Sequence, residues 1–395
     1  MSKGTRNVPA LRFKGFSDAW EKRKFGDLYS KTSEKNDGSF GPDKIISVAT
    51  MSWKTNVRIS SEDYLATYNV LRKGDIAFEG NKSKKFSFGR FVENDIGDGI
   101  VSHVFVVFRP KVSPIISYWK YFIHNEFVMR NILRKSTIKA TMMTNLSSHD
   151  FLRQTLCTPS FKEQENIGNF LERLDSLIAA TQGKLDNLEK IKRALLKHLF
   201  DQSMRFRGYS DPWEKRKFGE LYKPNKERNE SAEFSSENTL SIATMTVNRK
   251  GNGAAKTSLL KYKVIRIGDI AFEGHTSKKF AFGRFVLNDV ADGIMSPRFT
   301  CLRPIHRQII QFWKQYIHYE PILRPILIRS TKLGTMMNEL VVPDLLKQNI
   351  RVPSINEQKL IGKSLSRVDD LIAATQSKLS SLETLKKALL QGLFI

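Results

Sequence analysis

Acidic residues are in short supply: 40 Asp and Glu stand against 65 Lys and Arg, a formal net charge of +25 over 395 residues. That deficit excludes a charge-balanced surface and points to a polyanionic partner. Cysteine is scarcer still. Cys157 and Cys301 do not occupy matching places in the repeat described below, which argues against a shared disulfide or a four-ligand metal site and fits a reducing compartment. Long apolar runs are missing too. The richest, around Ile115 and Ile116, falls far short of a membrane span, and the first residues show no apolar leader, so the expectation is a soluble cytoplasmic protein with no membrane partner.

Several chemistries are also absent. No Gly-x-x-x-x-Gly-Lys-Ser/Thr phosphate loop occurs, and no His or Cys spacing suits a metal. Asp75 and Glu79 with Lys82 loosely suggest a metal-dependent nuclease, but the spacing is tight and the repeat places Thr276 where Lys82 stands, so a structural Gly-Asp turn is expected. The Asp211-Pro212-Trp213 triplet resembles a fragment of an amino-methyltransferase motif. Its counterpart reads Asp18-Ala19-Trp20, which removes that reading. His124 and His318 match between the copies and read as packed helical histidines.

What is present is a duplication at an offset of about 194 residues. WEKRKFGDLY from Trp20 recurs as WEKRKFGELY from Trp213, and GDIAFEGNKSKKFSFGRF from Gly74 as GDIAFEGHTSKKFAFGRF from Gly268. Pro159 to Phe200 returns as Pro353 to Phe394, with 25 of 42 positions identical. A period this long is a whole domain plus a connector. Leu11 to Trp20 is the counterpart of Met204 to Trp213, so the first residues can complete the unit that the last ones leave open. The ends of the chain should then lie together, in a cyclic arrangement with a pseudo-two-fold axis.

Each connector carries a heptad-like stripe, at Leu171, Leu174, Ile178, Leu185, Leu188, Leu195 and Leu199 in one and Leu365, Val368, Ile372, Leu379, Leu382, Leu389 and Leu393 in the other. Thr181 and Lys192 interrupt the first at the places where Thr375 and Lys386 interrupt the second. Matching interruptions suggest that the stripes pair with each other, antiparallel if the halves are related by a two-fold. About 32 helical residues would span roughly 48 Å, more than the roughly 34 Å of one DNA turn, as a spacer would need.

The heads read as α+β, with short strand-like runs forming a mainly antiparallel sheet and a helix around WKYFIHNE. The expected divisions are 1–158 and 204–352 for the heads, 159–203 and 353–395 for the helices. Candidate DNA-contacting residues fall in three segments. Lys82, Lys84, Lys85 and Arg90, with Lys278, Lys279 and Arg284 in the copy, mix basic and aromatic residues in a presumptive surface loop. Thr141 and Thr335 belong to the Ala140 to Ser147 and Gly334 to Val341 segments, whose small residues permit close approach to phosphate, and Lys139 and Lys332 stand just before those segments. The copies differ most at Met51 to Leu71 against Met245 to Ile265, where Lys54, Asn56, Arg58, Asn248, Arg249 and Lys250 can make directed hydrogen bonds to base edges. GNGAAK, from Gly251, is a flexible loop rather than a phosphate cradle.

The Pro-Ser-x-x-Glu-Gln-x-x-Ile-Gly pattern followed by the Leu-Asp-x-Leu-Ile heptad helix, occurring twice and each time after a domain with a Gly-Asp-Ile turn, resembles the specificity subunits of type I restriction-modification enzymes. The likeness covers essentially the whole chain. It implies two target recognition domains held apart by an antiparallel helix pair and reading a bipartite double-stranded DNA target. It also implies a chain without catalysis or bound cofactor of its own, serving two modification subunits and the restriction subunits. S-adenosylmethionine, ATP and Mg are expected on those partners, with adenine methylation and ATP-dependent cleavage as the activities of the assembled defence system. Arg173, Lys184, Lys190, Arg367 and Lys378, off the seam, become candidate docking positions. Because the two heads are close relatives, similar and inversely arranged half-sites are expected. The rival reading is a basic coiled-coil scaffold that binds nucleic acid without sequence preference, which a steep loss of affinity with salt and a small specific-to-random ratio would reveal. A self-sufficient nuclease or methyltransferase is the third reading, tested by activity without partners.

Overall fold

The computed structural model describes residues 7–55, 62–138, 143–251, 253–334 and 337–395. The chain divides into two compact units, one of residues 1–182 with 377–395 and the other of residues 183–376, so each long helix contributes to both. In the first unit the principal elements are β1 (Glu21–Lys24), β2 (Tyr29–Thr32), β3 (Ile76–Glu79), β4 (Arg90–Glu93), β5 (Val106–Pro110), α1 (Ile116–Ile123), α2 (Glu126–Ser136), β6 (Thr155–Thr158) and the start of α3 (Phe161–Phe200). The second repeats them as β7 (Glu214–Lys217), β8 (Tyr222–Pro224), β9 (Ile270–Glu273), β10 (Arg284–Leu287), β11 (Thr300–Pro304), α4 (Ile310–Tyr316), α5 (Glu320–Ile328), β12 (Asn349–Val352) and the start of α6 (Ile355–Gly392).

Strand alternation organises each head. The first unit's main sheet runs β2-β5-β3-β4, antiparallel throughout, and the second's runs β8-β11-β9-β10. Ile76, Phe78, Phe91 and Phe108 point to one face, where they meet Trp119 and Phe122 of α1, Phe151, Leu171 of α3 and Phe394. Ala77 and Val107 point to the other and pack with Ile46, Val48, Leu71 and Val101. Successive side chains of a strand face opposite ways, so two cores from one sheet are what period-two apolar strands require. β1 pairs with β6, and β7 with β12, immediately before the long helices begin.

The helices are longer than the heptad stripes imply, 40 residues for α3 and 38 for α6. The extra turns lie at the start. The Ser160 and Ser354 hydroxyls accept from the backbone N–H groups of Glu163 and Glu357, an N-terminal serine with an acid three residues on. The two carboxylates are then taken by arginines from outside the helix. Arg12 grips Glu163 at 2.7 and 2.8 Å, and Arg205 grips Glu357 at 2.6 and 3.0 Å.

The seams form within each unit. Leu171, Leu174, Leu185, Leu365 and Leu379 are buried; Ile178, Leu188, Leu195, Val368, Ile372, Leu382 and Leu389 are half-buried. In the first unit Leu171 packs with Leu389 and Leu393 while Asp175, one turn on, meets Lys386 at 2.5 Å. In the second, Leu365 packs with Leu195 and Leu199 while Asp369 meets Lys192 at 2.6 Å. Numbers rise on one helix as they fall on the other, so the pairing is antiparallel. The lysine interruptions are thus interhelical ion pairs, and Thr181 and Thr375 donate back to the Leu177 and Leu371 carbonyls of their own helices.

The ends of the chain meet as the repeat requires. Leu11 N donates to Gly392 O at 2.8 Å, and Phe13 joins the core that holds Leu393 and Phe394. The second unit builds the same junction from continuous chain, with Leu199, Phe200 and Phe206 in one cluster. Cys157 and Cys301 are both unpaired thiols, and burial pushes the Cys301 thiol up to about 12.

Candidate nucleic-acid interface

The basic loop begins where β3 ends. Gly80 lies so close to Thr144 that a Cβ there would stand 2.3 Å from the Thr144 carbonyl oxygen, and Gly274 is closer still to Asn338, at 1.9 Å. Only glycine permits that approach. A hydrogen bond seals it in each unit, Thr144 N to Gly80 O and Asn338 N to Gly274 O, both 2.9 Å. The loop starting at residue 81 and the segment ending at residue 143 therefore leave from one point.

Arginine joins a third segment to the same place. Arg90 donates through Nε to Glu79 at 2.6 Å and through Nη2 to the carbonyl of Ala49 at 2.7 Å. Arg284 repeats both bonds with Glu273 and Ala243 at the same distances. Each guanidinium also covers a phenylalanine, Phe86 at 5.3 Å or Phe280 at 5.4 Å, with Lys85 or Lys279 at 5.1 Å from the same ring. The phenylalanine in turn packs against helical histidine, Phe86 on His124 at 5.0 Å and Phe280 on His318 at 4.9 Å. Burial, with Arg90 and Lys85 nearby, pushes the His124 imidazole down to about 4, and burial lowers His318 as well. These histidines are neutral struts beneath the basic loop.

The candidate residues thus fall into groups. Lys82, Lys84, Lys85, Lys278 and Lys279 are exposed, as are Lys54, Arg249, Lys250 and Lys332. Arg90 and Arg284 are half-buried with their guanidinium forks engaged by the protein itself. Asn248 spends its amide on Gly251 O at 2.7 Å. Asn56, Arg58, Lys139, Thr141 and Thr335 lie outside the described residues. Arg173, Lys184, Lys190, Arg367 and Lys378 are exposed on the helices.

The loosely suggested nuclease carboxylates have other work. Asp75 accepts from Arg72 N at 2.9 Å and from Arg109 Nη2 at 3.0 Å, Arg109 also reaching Glu34, and Glu79 is held by Arg90. Asp269, Arg303 and Glu227 repeat that network. Among the described residues no cluster of His, Cys, Asp and Glu could hold a metal ion. No helix there is long and apolar enough to cross a membrane.

A groove of about 1480 Å³ runs beside these segments in the first unit. Thr50, Met51, Lys85 and Arg90 border it on one side, and Asp175, Ile178, Lys386 and Lys387 of the paired helices on the other. α2 supplies Phe127, Arg130, Asn131 and Arg134. Basic runs do not single out α2; the signal in its residues is the spacing 127, 130, 131, 134, one face of a helix opposite an apolar face.

The comparisons with known proteins agree on one family. A family model described as the type I restriction modification DNA specificity domain matches residues 17–190 and again 210–384. The protein named as the specificity subunit of the type I restriction enzyme MjaX, from Methanocaldococcus jannaschii, is 21% identical over 302 residues, 72% of this chain and 69% of that protein. The crystal structure of the type I restriction-modification S subunit from M. genitalium superposes with a TM-score of 0.57 at 14% identity, covering 98% of this chain and 99% of the other. The HsdS subunit from Thermoanaerobacter tengcongensis gives 0.52 at 18% identity, with 100% and 99% covered.

Proposed function

The chain belongs to the family of type I restriction-modification DNA specificity domains, and from that membership we propose how its parts divide the work. It is the sequence-recognition subunit of a type I restriction-modification complex, reading a bipartite double-stranded DNA target and directing partner adenine methyltransferase and ATP-dependent endonuclease subunits. Its own part is recognition rather than catalysis. The observation that carries this is the double match: two copies of the specificity domain, each a basic head whose exposed lysines surround an arginine-braced loop, each running into a long helix.

Within that frame the residue assignments are ours. Lys82, Lys84 and Lys85, with Lys278 and Lys279, contact phosphate, since exposed lysines at a loop tip are flexible point charges suited to a backbone. Lys54, Arg249 and Lys250 stand in the segments where the heads differ most and bear on sequence. Arg173, Lys184, Lys190, Arg367 and Lys378 face the modification subunits. Support for this face comes from large apolar side chains exposed on the same helices, Leu177, Ile191, Leu371 and Leu385, between 42% and 51% accessible. S-adenosylmethionine, ATP and Mg belong to the partner subunits, and the assembly works on DNA in the cytoplasm.

The test is the methylated motif in cells that carry this chain together with its partner genes, set against the same cells lacking the chain. A split motif methylated at adenine only when the chain is present is the expected result. Methylation that is unchanged without it, or that follows no split motif, overturns the reading.

A further inference from the structure

α2 is fixed by one face, on which Met129, Ile132 and Leu133 are buried. Its opposite face carries Phe127, Arg130, Asn131 and Arg134, a spacing of i, i+3, i+4 and i+7 that aligns them along one side of the helix. All four are exposed and all four border the groove. Phe127 is 65% accessible.

The cations around this groove are not equivalent. Arg90 is held by Glu79, Lys120 by Asp95 at 2.5 Å and Lys386 by Asp175 at 2.5 Å. Among the described residues Arg130 and Arg134 have no salt bridge or hydrogen bond, and the amide of Asn131 between them has no hydrogen bond either. Of the acids that border the groove, Asp95 and Asp175 are spent on those lysines and Glu93 is buried, with burial raising its carboxyl well above the ordinary range, while Glu126, one turn before Arg130, and Glu383 of α6 carry no salt bridge among the described residues. The uncommitted donors on the exposed face of α2 are two planar guanidinium forks and a primary amide. Those are the groups that pair in two-point fashion with guanine and adenine edges.

We propose that this face of α2 reads one half of the DNA target, Arg130 and Arg134 donating to guanine O6 and N7 and Asn131 pairing with the N6 and N7 edge of an adenine. The proposal rests on the chain's role as a DNA-reading subunit and adds which residues read. It also revises the expectation of near-palindromic half-sites. The matching face of α5 presents Arg324, Pro325 and Ile328, with Pro321 opposite Phe127. Arg324 keeps the shared guanidinium, 6.0 Å from the Phe282 ring. Proline and isoleucine offer neither a fork nor an amide. Two heads built on one scaffold therefore share one reading residue and differ at two, so the half-sites share a base position and diverge beside it.

The experiment uses the full chain in complex with its partner subunits, with the methylated motif determined in cells. Arg134→Ile is expected to relax one base position in one half of the motif, a loss of about 10- to 100-fold in preference there, the scale of one two-point base contact, and to leave the other half untouched. The untouched half reports that the variant is folded and assembled. Ile328→Arg, in the other unit, is expected to add a guanine preference to the other half, a gain that misfolding cannot imitate. If both variants methylate the parental motif, or if Arg134→Ile only weakens all sites evenly, α2 contacts phosphate or nothing and the proposal is overturned. If the parental chain itself yields no split motif, the family reading fails instead.

Discussion

The two units can be laid side by side bond for bond. The Nε of Arg90 and of Arg284 each stand 2.6 Å from a glutamate, and Arg109 and Arg303 each bridge a buried aspartate and a second carboxylate. The positions that differ lie elsewhere. Glu93 faces Ile76 across the sheet where Leu287 faces Ile270, Pro114 stands where Gln308 accepts from Tyr222 at 2.7 Å, and Arg134 stands where Ile328 does. Duplication has kept the arginines that hold each head together, and of the two on the exposed face of α2 it has kept Arg130, as Arg324, and varied Arg134. A basic chain of this kind thus carries two populations of cation, and only partner geometry separates them.

The largest test of equivalence is the junction between head and helix. Glu163 and Glu357 are almost fully buried, with side chains 1% and 2% accessible. Removing the arginine from a buried pair leaves the carboxylate uncompensated, at a cost of about 3–5 kcal/mol. Arg12→Met is expected to lower the stability of the first unit on that scale. Arg205→Met should cost the second unit more, because Arg205 also holds the Asp211 carbonyl at 3.1 Å while one Arg12 nitrogen, Nη1, has no partner among the described residues. Hydrogen exchange resolved by peptide measures both; an equal loss in the two variants would show that the extra bond counts for nothing.

A smaller and opposite effect is expected at Glu93. Glu93 is 3% accessible, and among the described residues neither of its carboxyl oxygens has a hydrogen-bond partner. Burial, with Asp95 beside it, raises its pKa well above 4.5 in the folded unit. A carboxyl of raised folded pKa favours folding most at low pH and loses that contribution as pH climbs from its unfolded value through the folded one. Glu93→Leu, which copies Leu287, should stabilise the first unit by about 1–3 kcal/mol, the usual cost of an unsatisfied buried polar group. The gain should be larger at pH 8 than at pH 5. Denaturation midpoints at the two pH values check it, and a gain independent of pH would mean that the carboxyl does not titrate in this window.

Architecture was legible because it is written twice. Strand runs, the α1 helix and both seams could be read from the repeat, and so could the closeness of Leu11 to Gly392 in outline, though not the bond itself. Helix starts carry a sequence signal as well, a proline at 159 or 353 followed by a Glu-Gln pair suited to a first turn, but nothing in it shows that Arg12 and Arg205 take the Glu163 and Glu357 carboxylates. The site was only partly legible. Basic density led to Lys84 and Lys85, which are exposed, but equally to Arg90, whose fork belongs to Glu79. Density records how many charges a segment holds and is silent on which are already answered. The α2 face was missed for the converse reason, since its two arginines are four residues apart and diluted by core side chains.

The smallest expected effect concerns the seam lysines. Lys386 with Asp175 and Lys192 with Asp369 are ion pairs of partly exposed side chains, between 28% and 35% accessible, for which about 0.2–1 kcal/mol is the ordinary range. The aspartates are served differently in the two units. Asp175 also accepts from the Tyr121 hydroxyl at 2.7 Å, and Lys386 lies 5.5 Å from the Tyr121 ring, whereas Asp369 accepts from the Gln315 amide at 2.6 Å. An aromatic face adds attraction for an ammonium, on the order of 0.5–1 kcal/mol, that an amide does not supply. Lys192→Met should therefore cost the second unit about 0.2–1 kcal/mol and Lys386→Met slightly more in the first, read from denaturation midpoints. Equal losses would remove the ring from the account. A loss above about 2 kcal/mol in either would mean that these lysines hold the register of the helix pair far more strongly than their exposure suggests.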